Sequence, residues 1–399
     1  MSIKYILGKA GTAKSTTLVN TVHQLLLQNH SVVAIAFTHQ AVNNVVEKFH
    51  EINVDVENYP NLMIRTIHSY FKITPEHEYE FSMDNFLNST YELYSIHKKK
   101  FDSLLTNHKL KRKINLPDYL FVDELSLIPD VLLQIIFSFC RYTNLILVGD
   151  LLQLNPVTKH KNEINVNALQ LIDDFNCTFH EGLLIAEHLS NNIFIYKEFQ
   201  SNDKLILSKN YRSGSNVQQI IDEVLDDYTN YQHYYFDDYE HIDEYVVLSS
   251  KYKHLKEMYN KTFHDGTIKI QTDIGYVKMN KNDLMVLTQN LNDEFVNGDV
   301  VQIISKNIIK KNNIEFVFTS EFTVLPLLPY NYLTIHKSQG LGFKKIIIIL
   351  DDMFEITMLY TALTRAREDI KFIVFKQQNI EQLELFTEAF KKLTKIVYK

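Results

Sequence analysis

The chain has no tryptophan, two cysteines, ten glycines and seven prolines in 399 residues. Cys140 and Cys177 allow one disulfide at most. That excludes a disulfide scaffold and a cysteine-built zinc site, and it points to a reducing, intracellular setting. Long apolar runs are missing too. The longest, Ile346–Leu350, suits a buried strand and is far too short to cross a bilayer. No secretory signal precedes Gly8, and neither an internal repeat nor a low-complexity linker is present. Positive charge is not in excess: the net charge of −7 speaks against a protein that coats nucleic acid by bulk charge, although a local basic groove stays open. A hydrophobic share of 45% and a charged share of 22% are ordinary for a globular protein of two or three domains.

What is present begins with Gly8–Thr16, GKAGTAKST. A short apolar run, Ile3–Leu7, precedes it, and Thr17–Leu27 follows with apolar residues at helical spacing. Strand, small-residue loop and helix N-terminus together surround an anion with backbone N–H groups and a positive dipole end. Gly8, Gly11, Thr12, Ala13, Lys14, Ser15 and Thr16 are therefore candidate phosphate ligands. Lys14 supplies a point charge on the β- and γ-phosphates, and Ser15 a hydroxyl for Mg²⁺. The pattern departs at Ala13, where glycine is usual, and a Cβ there either crowds the phosphate or strains the backbone. Taken alone, the segment also fits a ligand-free Gly/Ala-rich turn.

The first part of the chain alternates strands (31–37, 62–65, 119–122, 144–148) with helical stretches such as 40–50, which predicts a parallel sheet covered by helices on both faces. Between 70 and 117, aromatic and acidic residues give way to the basic runs Lys98–Lys100 and Lys109–Lys113. These are read as a solvated helical face of an insertion, with nucleic-acid contact as the alternative. A second, split parallel unit is expected from 205–210, 245–248, 332–335, 344–350 and 371–375. Within it, 276–322 is strand-rich with an Asn297-Gly298 turn signal, read as a small β-barrel insertion. The acidic aromatic stretch 226–244 reads as an exposed loop or helix end.

Several strand-end segments carry chemistry. Asp123 and Glu124 end the 119–122 strand, where a phosphate loop needs a Mg²⁺ carboxylate and a group that polarises the attacking water. The bland alternative is an acidic helix cap. Gln153, in GDLLQLNP, is placed to sense a γ-phosphate. Arg212 and Arg365 are candidates to stabilise charge on the transferring phosphoryl group, both assigned to the second sheet unit. Thr334–Gly340 (TIHKSQG) is a polar, glycine-ended loop that fits phosphates of ATP, of nucleic acid, or of both, and it shares with Thr38-His39 and Thr66-Ile67-His68 the hydroxyl, imidazole and backbone donors suited to a sugar–phosphate backbone.

In order along the chain, GKAGTAKST, AFTHQAV (36–42), TIHS (66–69), VDELS (122–126), LVGDLLQLNPV (147–157), LSKNYRS (207–213), TIHKSQG and YTALTRA (360–366) resemble the motifs of superfamily 1 helicases, and within them the RecD/Dda-like group. The segment 282–290 followed by Asn297-Gly298-Asp299 is similar to the start of the SH3-like insertion of that group.

The resemblance implies an α/β protein of two RecA-like motor domains. The first is 1–69 with 118–185, interrupted by a pin-like insertion at 70–117. The second is 186–275 with 326–399, interrupted by an SH3-like β-barrel at 276–325. It implies ATP and Mg²⁺ as cofactors, bound by Lys14, Ser15 and Asp123 with Gly340 among the nucleotide contacts. Glu124 would be the catalytic base, Gln153 the sensor, and Arg212 and Arg365 the arginine fingers. Thr38, His39, Thr66, His68, His336 and Ser338 would line single-stranded DNA. The implied activity is 5′→3′ translocation and unwinding at single-strand/duplex junctions by a monomer away from membranes, driven by ATP closing and reopening the cleft between the motor domains. A viral-type superfamily 1 RNA helicase is the alternative. Phe71, Phe81 and Phe86 are candidate wedges, with core packing the expected fate of at least two. The adenine-reading glutamine that relatives carry upstream of the phosphate loop has no room in the seven residues before Gly8, which leaves base selectivity open.

Overall fold

The computed structural model describes residues 3–71, 116–129, 143–156, 168–190, 203–227 and 244–375 (except 263, 293, 352 and 354), and 380–398. It also describes the short pieces 132–133, 136–137 and 233–236. The insertion expected at 70–117, with Phe81 and Phe86, falls almost wholly outside these residues. Two compact units are present: Met1–Arg212 with Glu388–Lys399, and Ser213–Thr387.

The first unit contains β1 (Ile3–Gly8), α1 (Lys14–Leu27), β2 (Val32–Ala36), α2 (His39–Glu51), β3 (Leu62–Thr66), α3 (Ile67–Phe71), β4 (Tyr119–Asp123), β5 (Asn144–Gly149), α4 (Ala168–Phe175), α5 (Phe179–Ser190) and β6 (Asp203–Leu207). Its six strands are parallel, in the order β3-β2-β4-β5-β1-β6. Successive residues of a strand point to opposite faces, and here each face has its own core. Tyr5, Leu7, Val33, Ile35, Leu120 and Val122 pack on one side, joined by Ile67, Tyr70 and Phe71 of α3. Ile6, Val32, Ala34, Phe121 and Ile146 pack on the other, against Leu18, Val22, Val45 and Phe49 of α1 and α2. The continuous apolar runs read from sequence are thus strands buried on both faces. Phe71 is completely buried in the first of these cores, which removes it from the wedge candidates: it holds α3 on the sheet.

The second unit begins with α6 (Ser215–Asp226), β7 (His233–Tyr235), β8 (Val246–Ser249) and α7 (Tyr252–Lys261). Seven strands follow: β9 (Ile268–Thr272), β10 (Gly275–Met279), β11 (Leu284–Leu287), β12 (Val300–Ser305), β13 (Ile308–Lys311), β14 (Ile314–Val317) and β15 (Leu327–Pro329). The unit then continues through β16 (Tyr332–Thr334), β17 (Phe343–Ile349), α8 (Met358–Leu363) and β18 (Ala366–Val374) into α9 (Ile380–Val397), whose last ten residues belong to the first unit. Its main sheet is parallel, in the order β16-β8-β17-β18-β7. The inserted region pairs as a β9–β10 hairpin and a five-stranded antiparallel sheet, β14-β13-β12-β11-β15. The two pieces are joined by the Thr272↔Leu325 bridge, where Leu325 N donates to Gln271 O (2.8 Å), and together they are the β-rich insertion expected here. Asn297-Gly298 does turn the chain, with Gly298 at φ 92°.

Three expectations change. The 205–210 strand, expected in the second domain, is β6 of the first: it runs parallel to β1 from Lys4↔Asp203 to Gly8↔Leu207. The first unit therefore reaches Arg212 instead of ending at 185, and it also takes in Glu388–Lys399. Part of the stretch read as an exposed loop, 233–235, is β7, an edge strand on β18. Local periodicity marks such strands but does not say which neighbour they pair with.

Candidate nucleotide site and strand-contact loops

In an open parallel sheet, ligands bind beyond the carboxyl ends of the strands. Adjacent strands β4, β5, β1 and β6 end respectively in Asp123-Glu124, Gly149-Asp150, the loop after Gly8 and the Asn210–Arg212 segment. Strand order alone brings four sequence-distant segments to one rim.

The loop after β1 is held by its own atoms. Thr12 Oγ1 donates to Lys9 O (2.8 Å), and the Lys14 ammonium donates to Gly8 O (2.8 Å) and Lys9 O (3.0 Å). Ala13 lies at φ 62°, ψ 29°, the left-handed region that glycine adopts without cost. It is the cap residue of α1 and supplies no side-chain cap, so the first N–H groups of the helix at Lys14, Ser15 and Thr16 face the loop with no capping oxygen. Gly11 (φ 80°) cannot carry a side chain: a Cβ there would come within 2.4 Å of Asn210 Oδ1 and 2.9 Å of Arg212 Cβ. Tyr211 N donates to Gly11 O (2.8 Å), while its ring is 64% exposed. Tyr211 carried no sequence signal of its own, yet its ring stands beside this loop with the Lys209 ammonium 4.9 Å from its centroid.

Burial lowers the Lys14 ammonium, against Asp150, Glu124 and Asp123, which raise it; Arg212 adds to the lowering. One lysine thus has three carboxylates and a guanidinium as electrostatic neighbours. Burial, with the adjacent Glu124 charge, pushes Asp123 up to about 7, opposed by the Glu124 N–H and Lys14. A buried carboxylate so short of positive charge suits a divalent cation, with the Ser15 hydroxyl at the helix start as second protein ligand. This spare ligand set fits Mg²⁺, which takes its remaining oxygens from phosphates and water. Glu124 sits at φ 54°, ψ 49°, with its N–H bonded to Asp123 Oδ1 (2.9 Å). A non-glycine residue in this conformation is strained, as is common where a side chain must be aimed at a reaction.

Gln153 is buried, and its Nε2 lies 3.5 Å from Asp150 Oδ2. The loop carrying it is fixed from α5. His188 Nε2–H donates to Leu151 O (3.2 Å), and Asn155 Nδ2 donates to His188 Nδ1 (2.9 Å) and His188 O (3.2 Å). These bonds use the neutral imidazole, and burial depresses His188 to about 4. Neither Asn155 nor His188 stood out in the sequence.

Lys14, Ser15, Asp123, Glu124, Gln153 and Arg212 therefore gather in one unit. Arg212, expected in the second domain, belongs to the first, and its side chain is exposed beside Gly11. Arg365 is not part of this gathering. It lies in the second unit, 2% exposed, where its guanidinium donates to Thr361 O (3.0 Å), Leu341 O (3.3 Å) and Thr364 Oγ1 (2.9 Å). In this structure it brackets α8 to the chain just after Gly340 instead of being displayed. Gly340 is left-handed at φ 78°.

The strand-contact candidates form two groups. At the carboxyl rim of the first sheet, Ala36 pairs with Thr66 on one side and Asp123 on the other. Thr38 caps α2 by accepting from Ala41 N (3.1 Å), His39 is exposed, and His68 packs by Phe37. Thr66 is buried, its hydroxyl accepting from Ser69 N (3.3 Å). After β16 in the second unit, His336 is half-buried and lowered by that burial and by Lys337. Ser338 is fully buried and donates to Ile335 O (2.7 Å), so it shapes the loop from inside. Lys337, between them, was passed over on sequence. Its ammonium donates to Thr288 O (3.3 Å) and to Asn297 Oδ1, fastening this loop to the inserted sheet.

Among known proteins, residues 1–159 match the model of a family described as an AAA domain. No curated protein matches the sequence. Among solved structures, the chain is similar over 98% of its length to a Pif1 helicase from a study of DNA unwinding at forked double-stranded DNA by two coordinating molecules. The match covers 93% of that chain, at 21% identity and a TM-score of 0.51. The chain has the fold of the Pif1 helicases. A Candida albicans Pif1 helicase matches at 17% identity and TM-score 0.51, with 98% of this chain and 96% of that one covered. The Bacteroides Pif1 helicase in complex with ADP-AlF3 and single-stranded DNA matches at 19% identity and TM-score 0.50, with 98% and 94% covered. This Pif1 fold agrees with the resemblance of the motifs to the RecD/Dda-like group of superfamily 1 helicases. No described helix is long and apolar enough to cross a membrane.

Proposed function

We propose that this protein is an ATP-driven DNA helicase that binds single-stranded DNA, moves 5′→3′ and unwinds duplex at single-strand/duplex junctions. The observation that carries the reading is the assembly of Lys14, Asp123, Glu124, Gln153 and Arg212 around one phosphate loop. The α1 N-terminus and Lys14 hold the β- and γ-phosphates, and Ser15 and Asp123 would hold Mg²⁺, which neutralises phosphate charge. Glu124 takes a proton from the attacking water. Arg212 stabilises charge on the transferred group, and Gln153 responds to its loss. Tyr211, whose ring also has the Lys209 ammonium 4.9 Å from its centroid, offers a stacking face for the base. Such stacking tolerates any base, so looser use of nucleoside triphosphates follows.

The second RecA-like domain completes the motor that the resemblance implies, with Arg365 its second arginine finger and His336 a contact to the strand. For Arg365 this role requires the guanidinium to leave its three bonds. Direction rests on the motif resemblance. The test is an ATPase and unwinding assay on partial duplexes with 5′-DNA, 3′-DNA or 5′-RNA tails. Hydrolysis should be stimulated by single-stranded DNA and abolished in Lys14→Ala, and unwinding should prefer the 5′-DNA tail. Equal basal and stimulated rates would remove the motor, a 3′ preference the direction, and an RNA preference the DNA reading.

A further inference from the structure

α9 returns the chain to the first unit at a place the nucleotide chemistry does not require. Its Lys392 ammonium donates to Glu181 Oε2 (2.6 Å) and to Asn176 O (2.9 Å). Glu181, nearly buried, sits on α5 and also accepts from Thr178 N. Six residues on, just past the end of the helix, the Tyr398 hydroxyl donates to Asp150 Oδ1 (2.9 Å), across 248 residues of sequence. Its ring packs against the buried cluster on one face of the first sheet.

Asp150 is 1% exposed, and its carboxylate organises the loop that carries Gln153. Oδ1 accepts from Leu152 N (3.1 Å), Oδ2 lies beside Gln153 Nε2, and the charge acts on Lys14 more strongly than any other carboxylate. We propose that Tyr398 is a positioning residue for this loop. Its hydroxyl fixes the rotation of the Asp150 carboxylate, and through it the placement of Gln153 and the field at Lys14. The C-terminal helix is then a working part of the hydrolysis site, and its anchor at Glu181 sets where Tyr398 stands.

The proposal rests on the reading of the first unit as an ATP-hydrolysing site. A charge-assisted hydrogen bond is directional, and a buried carboxylate that loses one donor turns toward its remaining partners. Packing of the ring would explain a tyrosine or a phenylalanine equally well; only the hydroxyl distinguishes them.

The test is a cycle of Tyr398→Phe, Asp150→Asn and the double variant, read by single-stranded-DNA-stimulated ATPase and by amide hydrogen exchange of 150–156. Tyr398→Phe should lower kcat about tenfold, the scale of one bond to a charged group, with KM for ATP within about twofold. In the Asp150→Asn background it should cost nothing further, because the two act as one unit. Exchange at Leu152 should accelerate about tenfold in Tyr398→Phe, by the same loss. Additive effects, an unchanged kcat or unchanged exchange overturns the proposal. Should the wild type hydrolyse no nucleotide, the functional reading falls instead, and the exchange measurement still decides whether Tyr398 holds the loop.

Discussion

Replacing Ala13 by glycine separates two ways in which an alanine could matter in a phosphate loop. The sequence raises the concern that its Cβ crowds the phosphate; the structure shows a residue that has already adopted the left-handed conformation, φ 62°, ψ 29°. For a residue with a Cβ this conformation costs about 1–2 kcal/mol. Glycine removes that cost but widens the unfolded ensemble, which takes back roughly 0.4–1 kcal/mol. Ala13→Gly should therefore stabilise the first unit by about 0.5–1 kcal/mol, a rise of about 1–4 °C in Tm for a domain of this size. Ala13→Val, with a branched Cβ in the same conformation, should shift Tm the other way. Because the loop already places the α1 N-terminus and Lys14 correctly, the Kd for ATP should change by less than about twofold in Ala13→Gly. Urea unfolding with and without nucleotide, and a direct nucleotide titration, read both quantities. A loss of stability in Ala13→Gly would refute the assigned conformation. A tenfold gain in affinity without a change in Tm would show that the methyl group, not the backbone, is the defect.

The neutral His188 makes stability depend on pH. Its value of about 4 in the fold lies below the ordinary 6.5, so the unfolded chain binds the proton first and stability falls as pH drops from about 6.5 toward 4. The loss from this group is about 1 kcal/mol by pH 5.5 and about 3 kcal/mol by pH 4. In urea unfolding at pH 7.5 and 5.5, His188→Gln should narrow the gap to wild type at the lower pH by about 1 kcal/mol, and parallel slopes would defeat the assignment. Lys337→Met should weaken single-stranded DNA binding about fivefold by releasing the TIHKSQG loop from Thr288 and Asn297, without changing nucleotide affinity in the absence of DNA. Fluorescence anisotropy with oligo(dT) reads the first quantity, and unchanged DNA affinity would show that the tether is only structural.

The amino-acid sequence by itself determined the parts whose information is local. Apolar runs of strand length became β1, β2, β4, β5 and β17, because strands covered on both faces need no alternation. The strand–loop–helix turn at Gly8–Thr16, the carboxylates ending β4 and the Asn297-Gly298 turn were legible as local structure because each is a contiguous segment whose turn or helix-start chemistry acts over a few residues. Partnership was a matter for the tertiary structure alone. Strand pairing placed β6 beside β1 and so moved Arg212 into the first unit next to Gly11. Packing put Phe71 into a core and enclosed the Arg365 guanidinium among Thr361, Leu341 and Thr364. The same holds for His188 under the Gln153 loop and Tyr398 on Asp150, residues with no pattern around them to mark them. Hydrogen bonds and contacts between segments far apart in sequence depend on sheet order and on where a helix returns, and no local periodicity records either.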